Sequence, residues 1–388
     1  RVSGKHTSSN HAQSDWQAAR ELAYSLVQLS KPELLSLDQC DKRVCAQNVT
    51  ALTDLPFADS SSMDGWAVNG SGPWLVVAAE KLAVNQASVI TTGAALPIGA
   101  EGIIRTENGI LESEFLRSDT ASADDIRRAG EECGTGQLLC STGETLNPAM
   151  IGLLAATGYD EVSVFAQPRV QLIITGDELL TSGLPSRQHV RDSLGMQIPM
   201  WLQRLGAHLL PVVYVADRAE EISHAVSSSS ADFVITTGGT AASAKDHFKT
   251  AIEQGNGEVL ASSVEVRPGH PMKLAIMRNP SGRAVPVVGL PGNPLAAIVA
   301  LLTFVSPLVA KMLGQDIAAL TPVATSAVLK GAKSGTRLIP GSVSNGIFAS
   351  AEFSGSAMLR GLSCSTGFAV VTTAVDAGDS VDFLALPL

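Results

Sequence analysis

Residues 284–294 read AVPVVGLPGNP and run directly into the apolar segment LAAIVALLTFVSPLVAKML. Val285, Val287 and Val288 form a buried-strand pattern that stops at a turn of Gly289, Pro291, Gly292, Asn293 and Pro294. Asn293 stands where a helix N-cap is expected and Pro294 where the first helical residue is expected. A strand that opens a helix through such a turn leaves backbone N–H groups at the carboxyl edge of a sheet. That is where α/β proteins bind anions and nucleotide-like ligands. The stretch therefore predicts an α/β domain with a ligand at its strand ends.

The pattern extends on both sides. Strands are expected at 169–174, 209–215, 232–236, 273–277 and 286–290, and helices at 196–205, 219–227, 246–254 and 294–313. Near-continuous apolar strands alternating with helices imply a parallel sheet covered on both faces, here a central three-layer α/β domain over 168–313. Beyond it, apolar runs at 324–329, 348–353, 368–373 and 381–386, separated by Gly, Ser and Asp, predict a small β domain over 314–388. Residues 16–29 carry an amphipathic helix, and a second helix is expected between 143 and 158. Short β-like runs punctuated by Gly, Ser, Asn and Asp mark 56–128 as a β-rich insertion. It divides an elongated N-terminal domain into 15–55 and 129–167. The fold class expected is multidomain α/β plus β.

Composition sets the bounds. Twenty-seven basic against thirty-seven acidic residues give a net charge of −10, which argues against a nucleic-acid partner. Residues 1–14 are polar, lack the apolar core of a signal peptide or anchor, and are expected to be disordered. The apolar run after Pro294 is too short for a span and follows a cap, so a buried helix is expected and no membrane partner. Five cysteines, odd in number and without zinc-ligand spacing, suit reduced thiols in a cytoplasmic protein.

Two further loops resemble the first. Thr175-Gly176-Asp177-Glu178 ends a strand with two carboxylates, suited either to a divalent cation and its water or to capping a helix. Thr236-Thr237-Gly238-Gly239-Thr240 ends another, either as a phosphate nest or as a flexible turn. Basic residues gather nearby. In the turn VRPGHP, Arg267 and His270 flank Pro268-Gly269, either to bind an oxyanion through the Arg fork or as a solvated turn before a strand. In the β-rich insertion, Asp64 lies on a turn beside Trp66, and Thr92 opens a second polar turn.

SMDGWAV, TGAALPIGA, RRAGE, ITGDEL, Asp192-Ser193, TTGG, RPGHP and GLPGNP occur in that order. Through these motifs the chain resembles the molybdopterin molybdenumtransferase family, whose relatives include the E domain of gephyrin. The resemblance implies binding of adenylylated molybdopterin, delivery of molybdate to its dithiolene, and release of AMP and active cofactor. It also implies Mg2+ or another divalent cation, and an elongated homodimer in which the β-rich insertion of one subunit completes the α/β site of the other. By position, Asp64, Thr92, Glu178 and Asp246 are implied as catalytic, with Glu178 and Asp246 holding the metal. Asp192, Ser193, Asp217, Gly238, Gly239, Pro291, Gly292, Asn293 and Pro294 are implied in substrate binding, and Arg267 and His270 at the molybdate locus.

Six positions depart from the family pattern. Trp66 replaces Tyr, Glu132 replaces Asp, Leu194 replaces Asn, Thr240–Ser243 lack a Gly, and Ser263 and His270 each replace Lys. The acids are kept and the basic side is thinner. An alternative expectation is therefore a pterin- or nucleotide-binding paralogue, or a dimeric scaffold, without turnover.

Overall fold

The computed structural model describes residues 15–238, 247–279 and 281–388. The expected disordered segment 1–14 lies outside them. The chain forms two compact units, one comprising the described residues up to Glu33 with Phe165–Leu388, the other Leu34–Val164.

The first unit is built on a sheet of β1 (Arg169–Thr175), β2 (Val213–Val215), β3 (Phe233–Thr237), β4 (Glu258–Ala261), β5 (Lys273–Arg278) and β6 (Ala284–Leu290). The order is β2-β1-β3-β6-β5-β4, with His208–Leu209 also pairing on β1. Strands β2, β1, β3 and β6 are parallel, as the apolar runs predict. The far edge is antiparallel: β5 pairs with both β6 and β4 in that sense. The reason is the connection. From Arg278 to Ala284 the chain turns back within residues 279–283, closed by the Asn279 N–H to Arg283 carbonyl bond at 3.0 Å. A parallel return needs a dozen residues or more.

Helices cover both faces. On one, α3 (Ala219–Ser227) and α4 (His247–Gln254) bury Ile222, Val226, Phe248 and Ile252 against Ile173, Val234, Ala275 and Val287. On the other lie α2 (Leu194–Arg204) and the long apolar helix α5 (Pro294–Met312), 83% of whose most apolar window is buried. Residues Leu301–Val305 of α5 widen into a π-turn just before Pro307, which has no N–H to give to residue 303. Thr303 spans this turn. Its hydroxyl donates to the Val299 carbonyl at 2.7 Å and accepts the indole N–H of Trp16 at 2.9 Å, which fixes α1 (Trp16–Ser25) on α5.

The C-terminal strands β7 (Thr321–Thr325), β8 (Thr336–Ser344), β9 (Ile347–Ser350), β10 (Gly367–Val371) and β11 (Ser380–Ala385) close into a small barrel, because β10 pairs back on β8. Strand β8 is absent from the expected strands, and it contains Pro340 and Gly341, residue types that ordinarily interrupt a central strand. Here both sit inside the ladder, opposite Phe368 and Gly367. Gly341 is required there, because a Cβ would lie 2.2 Å from the Ala349 carbonyl oxygen.

In the second unit, Gly65–Asn69, Trp74–Val76, Gln86–Ile90, Gly102–Arg105, Ile110–Glu112 and Phe115–Arg117 form one six-stranded sheet. The chain reaches it through 44–55 and returns through 133–146, two runs joined by antiparallel bridges such as Val44 with Thr145 and Leu55 with Cys133. The second expected helix is Pro148–Ala156, shorter than the expected 143–158, and it is started by the Asn147 side chain accepting the Met150 N–H at 2.9 Å.

Thr303→Val removes the acceptor of a buried indole N–H while keeping the volume. Denaturant unfolding should show a loss of about 1–3 kcal/mol, whereas an unchanged midpoint would mean that the Trp16 bond does not hold α1 in place.

Candidate substrate site

Three loops leave the sheet side by side. Ile174 is in register with Thr237, and Thr237 with Leu290, so the ends of β1, β3 and β6 form one row at the carboxyl edge. The row is stitched across: the Thr175 hydroxyl donates to the Thr237 carbonyl, and the Gly238 N–H to the Leu290 carbonyl at 3.1 Å. Gly238 has φ +79°, and a Cβ there would lie 2.9 Å from Thr175 Oγ1. Glycine is needed for both reasons.

Over this row opens a cavity of about 350 Å³. Glu178, Asp192, Ser193, Gly238, Gly292, Asn293 and Pro294 line it, so the structure brings these expected residues together. Asp192 is buried and fully engaged: one oxygen accepts the Gly195 N–H at 2.8 Å, the other the Tyr214 hydroxyl at 3.0 Å. Burial first, then this bond to a carboxylate, push the Tyr214 phenol above its ordinary range. Asp192 therefore positions the start of α2, while Ser193 at the N-cap makes no capping bond of its own. Glu178 is different. It is exposed on the cavity and its carboxylate has no hydrogen bond or ion pair among the described residues.

A second cavity, of about 610 Å³, lies on the other side of the same turn. Pro291 and Asn293 line it together with Arg267 and His270. Lys333, just before β8, and Arg337, on β8, line it too, and among the described residues no carboxylate does. Arg267, Lys333 and Arg337 form no ion pair among the described residues. In a chain of net charge −10 this is a local reserve of positive charge. His270 contributes through one nitrogen, because Nδ1 lies 2.8 Å from the Val264 carbonyl and must carry a proton to bond there. Lys333 and Arg337 were missed in the sequence, where 314–388 shows only a β pattern; the signal available was the glycine-flanked GAKSG at 331–335.

The Asn293 expectation is corrected in part. Asn293 does occupy the N-cap of α5, with Pro294 first in the helix, but its side chain makes no capping bond. It donates to Ser356 Oγ at 3.3 Å. The first free amides of α5 are not open to a ligand either. The N–H groups of Leu295 and Ala296 both donate to the Ser356 carbonyl, at 3.0 and 3.3 Å. Cationic side chains, rather than a bare helix end, face the second cavity.

Asp217 lines neither cavity. It sits after β2 with one carboxylate oxygen buried and unpaired among the described residues. Gly239 and Asp246 lie outside the described residues. Among those described, no group of three or more His, Cys, Asp or Glu is arranged to hold a metal. With Asp192 engaged, Glu178 is the cavity carboxylate with free oxygens, which suits a cation that takes its other ligands from a bound phosphate.

Asp64 and Thr92 meet in the second unit. The Thr92 N–H and hydroxyl both donate to one Asp64 oxygen, at 2.7 and 3.0 Å. Those two bonds, the backbone one first, hold the carboxyl below its ordinary range. Both residues are exposed. Their turn is held by Gly65, where a Cβ would lie 1.9 Å from the Ile104 carbonyl oxygen. The ring of Trp66 packs against Gly109 and so belongs to the sheet of this unit.

Known proteins share this plan. Residues 14–158 match the family described as "MoeA N-terminal region (domain I and II)", and residues 171–311 the "Probable molybdopterin binding domain". The molybdopterin molybdenumtransferase of Haemophilus influenzae is 30% identical over 318 residues, 77% of each chain. This chain belongs to the molybdopterin molybdenumtransferase family. As a member it is a transferase of molybdenum cofactor biosynthesis. Molybdopterin molybdenumtransferase 2 of Mycobacterium tuberculosis is 28% identical over 75% of this chain and 78% of its own. A molybdopterin biosynthesis MoeA crystal structure from Pyrococcus horikoshii, 19% identical, covers 96% of this chain and 100% of that one with TM-score 0.72, which shows the same fold.

Thr92→Ala should raise the Asp64 carboxyl pKa toward the ordinary value of about 3.9, read by NMR titration of the side-chain carbonyl. The sign follows from the depressed native value: these bonds stabilise the fold above about pH 4 and are lost as pH falls through the lowered pKa. An unshifted titration in Thr92→Ala would show that Thr92 does not hold the carboxylate.

Proposed function

We propose that this transferase binds adenylylated molybdopterin and molybdate, inserts molybdenum at the dithiolene, and cleaves the phosphoanhydride to release AMP. The observation that carries the reading is the turn at 291–294, one wall of two adjoining cavities, the first lined by Glu178, Asp192 and Arg191 and the second by cationic side chains. The cavity over the strand ends offers glycine turns and Glu178 to a pterin phosphate. The neighbouring one offers Arg267, His270, Lys333 and Arg337, without a competing carboxylate among the described residues, to a dianion. A ligand spanning the turn would bring the dithiolene and the oxyanion together, which converts an encounter of two substrates into a step within one complex.

The residues divide the work. Arg267 and Arg337 bind and orient the oxyanion through forked donors, and Lys333 adds a flexible charge. Gly238 and Gly292 let backbone approach the phosphates. Glu178, with Asp246 as second carboxylate, would hold Mg2+, which would offset phosphoanhydride charge. Asp64 and Thr92 act from the partner subunit of a homodimer, where the Thr92 bonds keep Asp64 ionised.

The reading is tested with purified protein, adenylylated molybdopterin, molybdate and Mg2+, following AMP. Glu178→Gln should slow AMP release on the order of 100-fold with pterin affinity kept. Tight pterin binding without AMP release by the unmodified protein would favour the non-catalytic paralogue.

Arg337→Ala and Lys333→Ala should each weaken molybdate binding, roughly 10- to 100-fold for the arginine and less for the lysine, with pterin affinity unchanged. Equal loss of both affinities would remove the oxyanion from the second cavity.

His270→Ala should weaken molybdate binding with pterin affinity unchanged, whereas unchanged molybdate affinity would count against His270 at the second cavity.

A further inference from the structure

Cys40, Cys45 and Cys140 are buried in one small apolar core of the second unit, with Val49, Leu146 and Leu154. Two of them meet. The Cys140 thiol donates to Cys45 Sγ at 3.3 Å, across 95 residues of chain. Cys40 is turned elsewhere, its thiol donating to the Ser36 carbonyl at 3.2 Å. The backbone around the pair is locked in antiparallel pairing. The Cys45 N–H donates to the Glu144 carbonyl and the Gly143 N–H to the Cys45 carbonyl, each at 2.9 Å, while Cys140 lies opposite Val49. These runs are the base of the excursion that carries Asp64 and Thr92. Among the described residues no metal-ligand group includes these sulfurs, so the chemistry on offer is that of one thiol with another.

We propose that Cys45 and Cys140 are a redox-reactive dithiol that closes to an intramolecular disulfide when the protein meets a hydroperoxide. The Cys45 thiolate attacks a peroxide oxygen, the O–O bond breaks, and Cys45 becomes a sulfenic acid as an alcohol or water leaves. Cys140 gives up its proton and attacks the Cys45 sulfur. The S–O bond breaks, and the departing hydroxide takes that proton as water. Two thiols lose two electrons in all, and one hydroperoxide is reduced to an alcohol and a water.

Cys45 reacts first because it accepts the hydrogen bond, which favours its thiolate, whereas Cys140 donates it and is pushed the other way. Burial raises both thiols, Cys140 far above its ordinary value, so the resting pair is inert and reaction waits for a local opening of the two runs. Once Cys45 is oxidised, its partner is already at hand. The sulfurs need only close from 3.3 Å to a bond of about 2.05 Å, at high effective concentration. The bond would enclose the whole sheet in one long loop, the case in which a cross-link most restricts the unfolded chain. It would stiffen the base of the sheet and leave Asp64 and Thr92 untouched.

The experiment treats the reduced, desalted full chain with hydrogen peroxide, then unfolds it in an alkylating reagent for peptide mapping. The expected result is loss of two alkylatable thiols, a linked Cys45–Cys140 peptide, and a dithiothreitol-reversible rise of the unfolding midpoint of roughly 5 °C. Cys45→Ala and Cys140→Ala should each abolish the linked species, and Cys364→Ser should leave it intact. Because the linked peptide is read in the unmodified protein, a variant that fails to fold does not decide the matter. Five alkylatable thiols after peroxide, a pairing through Cys40 or Cys133, or oxidation of Cys45 to its sulfinic acid with Cys140 still free would each overturn the proposal.

Discussion

The lateral registration of three strand ends, Ile174 with Thr237 and Thr237 with Leu290, is the constraint on which the candidate site depends. Strands in a parallel ladder end together only if their backbone bonds are in step, and here two cross-links hold the step beyond the last rung. The Thr175 hydroxyl reaches the Thr237 carbonyl, and the Gly238 amide reaches that of Leu290. Loops that leave from one row face the same space. That is why Glu178, Gly238 and Asn293, from three separate strand ends along the chain, line a single cavity.

At the turn that ends β6, the helix amides are taken by the Ser356 carbonyl, which ties the α/β sheet to the barrel. A second link sets the charge: Val266–Arg267 pairs in parallel with Thr336–Arg337 of β8, which places Arg337 beside Arg267, and Lys333 and His270 line the same cavity. Positive charge can gather this way in an acidic protein because the field that matters is local, and among the described residues no carboxylate lines this cavity.

The second unit follows a different logic. Asp64 is exposed, so its ionised state rests on two hydrogen bonds from Thr92 and not on burial. The cysteine pair below is governed by burial, which keeps both thiols protonated until the surrounding runs open. One unit thus holds a carboxylate ready in solvent and a dithiol quiet in a core.

Much was legible in the chain itself. Apolar runs such as Val285–Val288, followed by Gly, Pro and Asn, determined the strands, their turns and the helix that follows, because these depend on neighbours a few residues apart. The order of the motifs pointed to the family for the same reason. Other features follow from contacts between distant residues. The antiparallel edge follows from the short 279–283 return, and strand β8 forms through Pro340 and Gly341 because the barrel closes on it. The capture of the α5 amides by Ser356 and the engagement of Asp192 by Tyr214 leave no local signature, and the placing of Lys333 and Arg337 in the second cavity leaves only the glycine-flanked GAKSG. The sequence determined which loops could bind a ligand; only the tertiary structure decided which donors stay free and where the charge comes from, since both depend on partners far away in the chain.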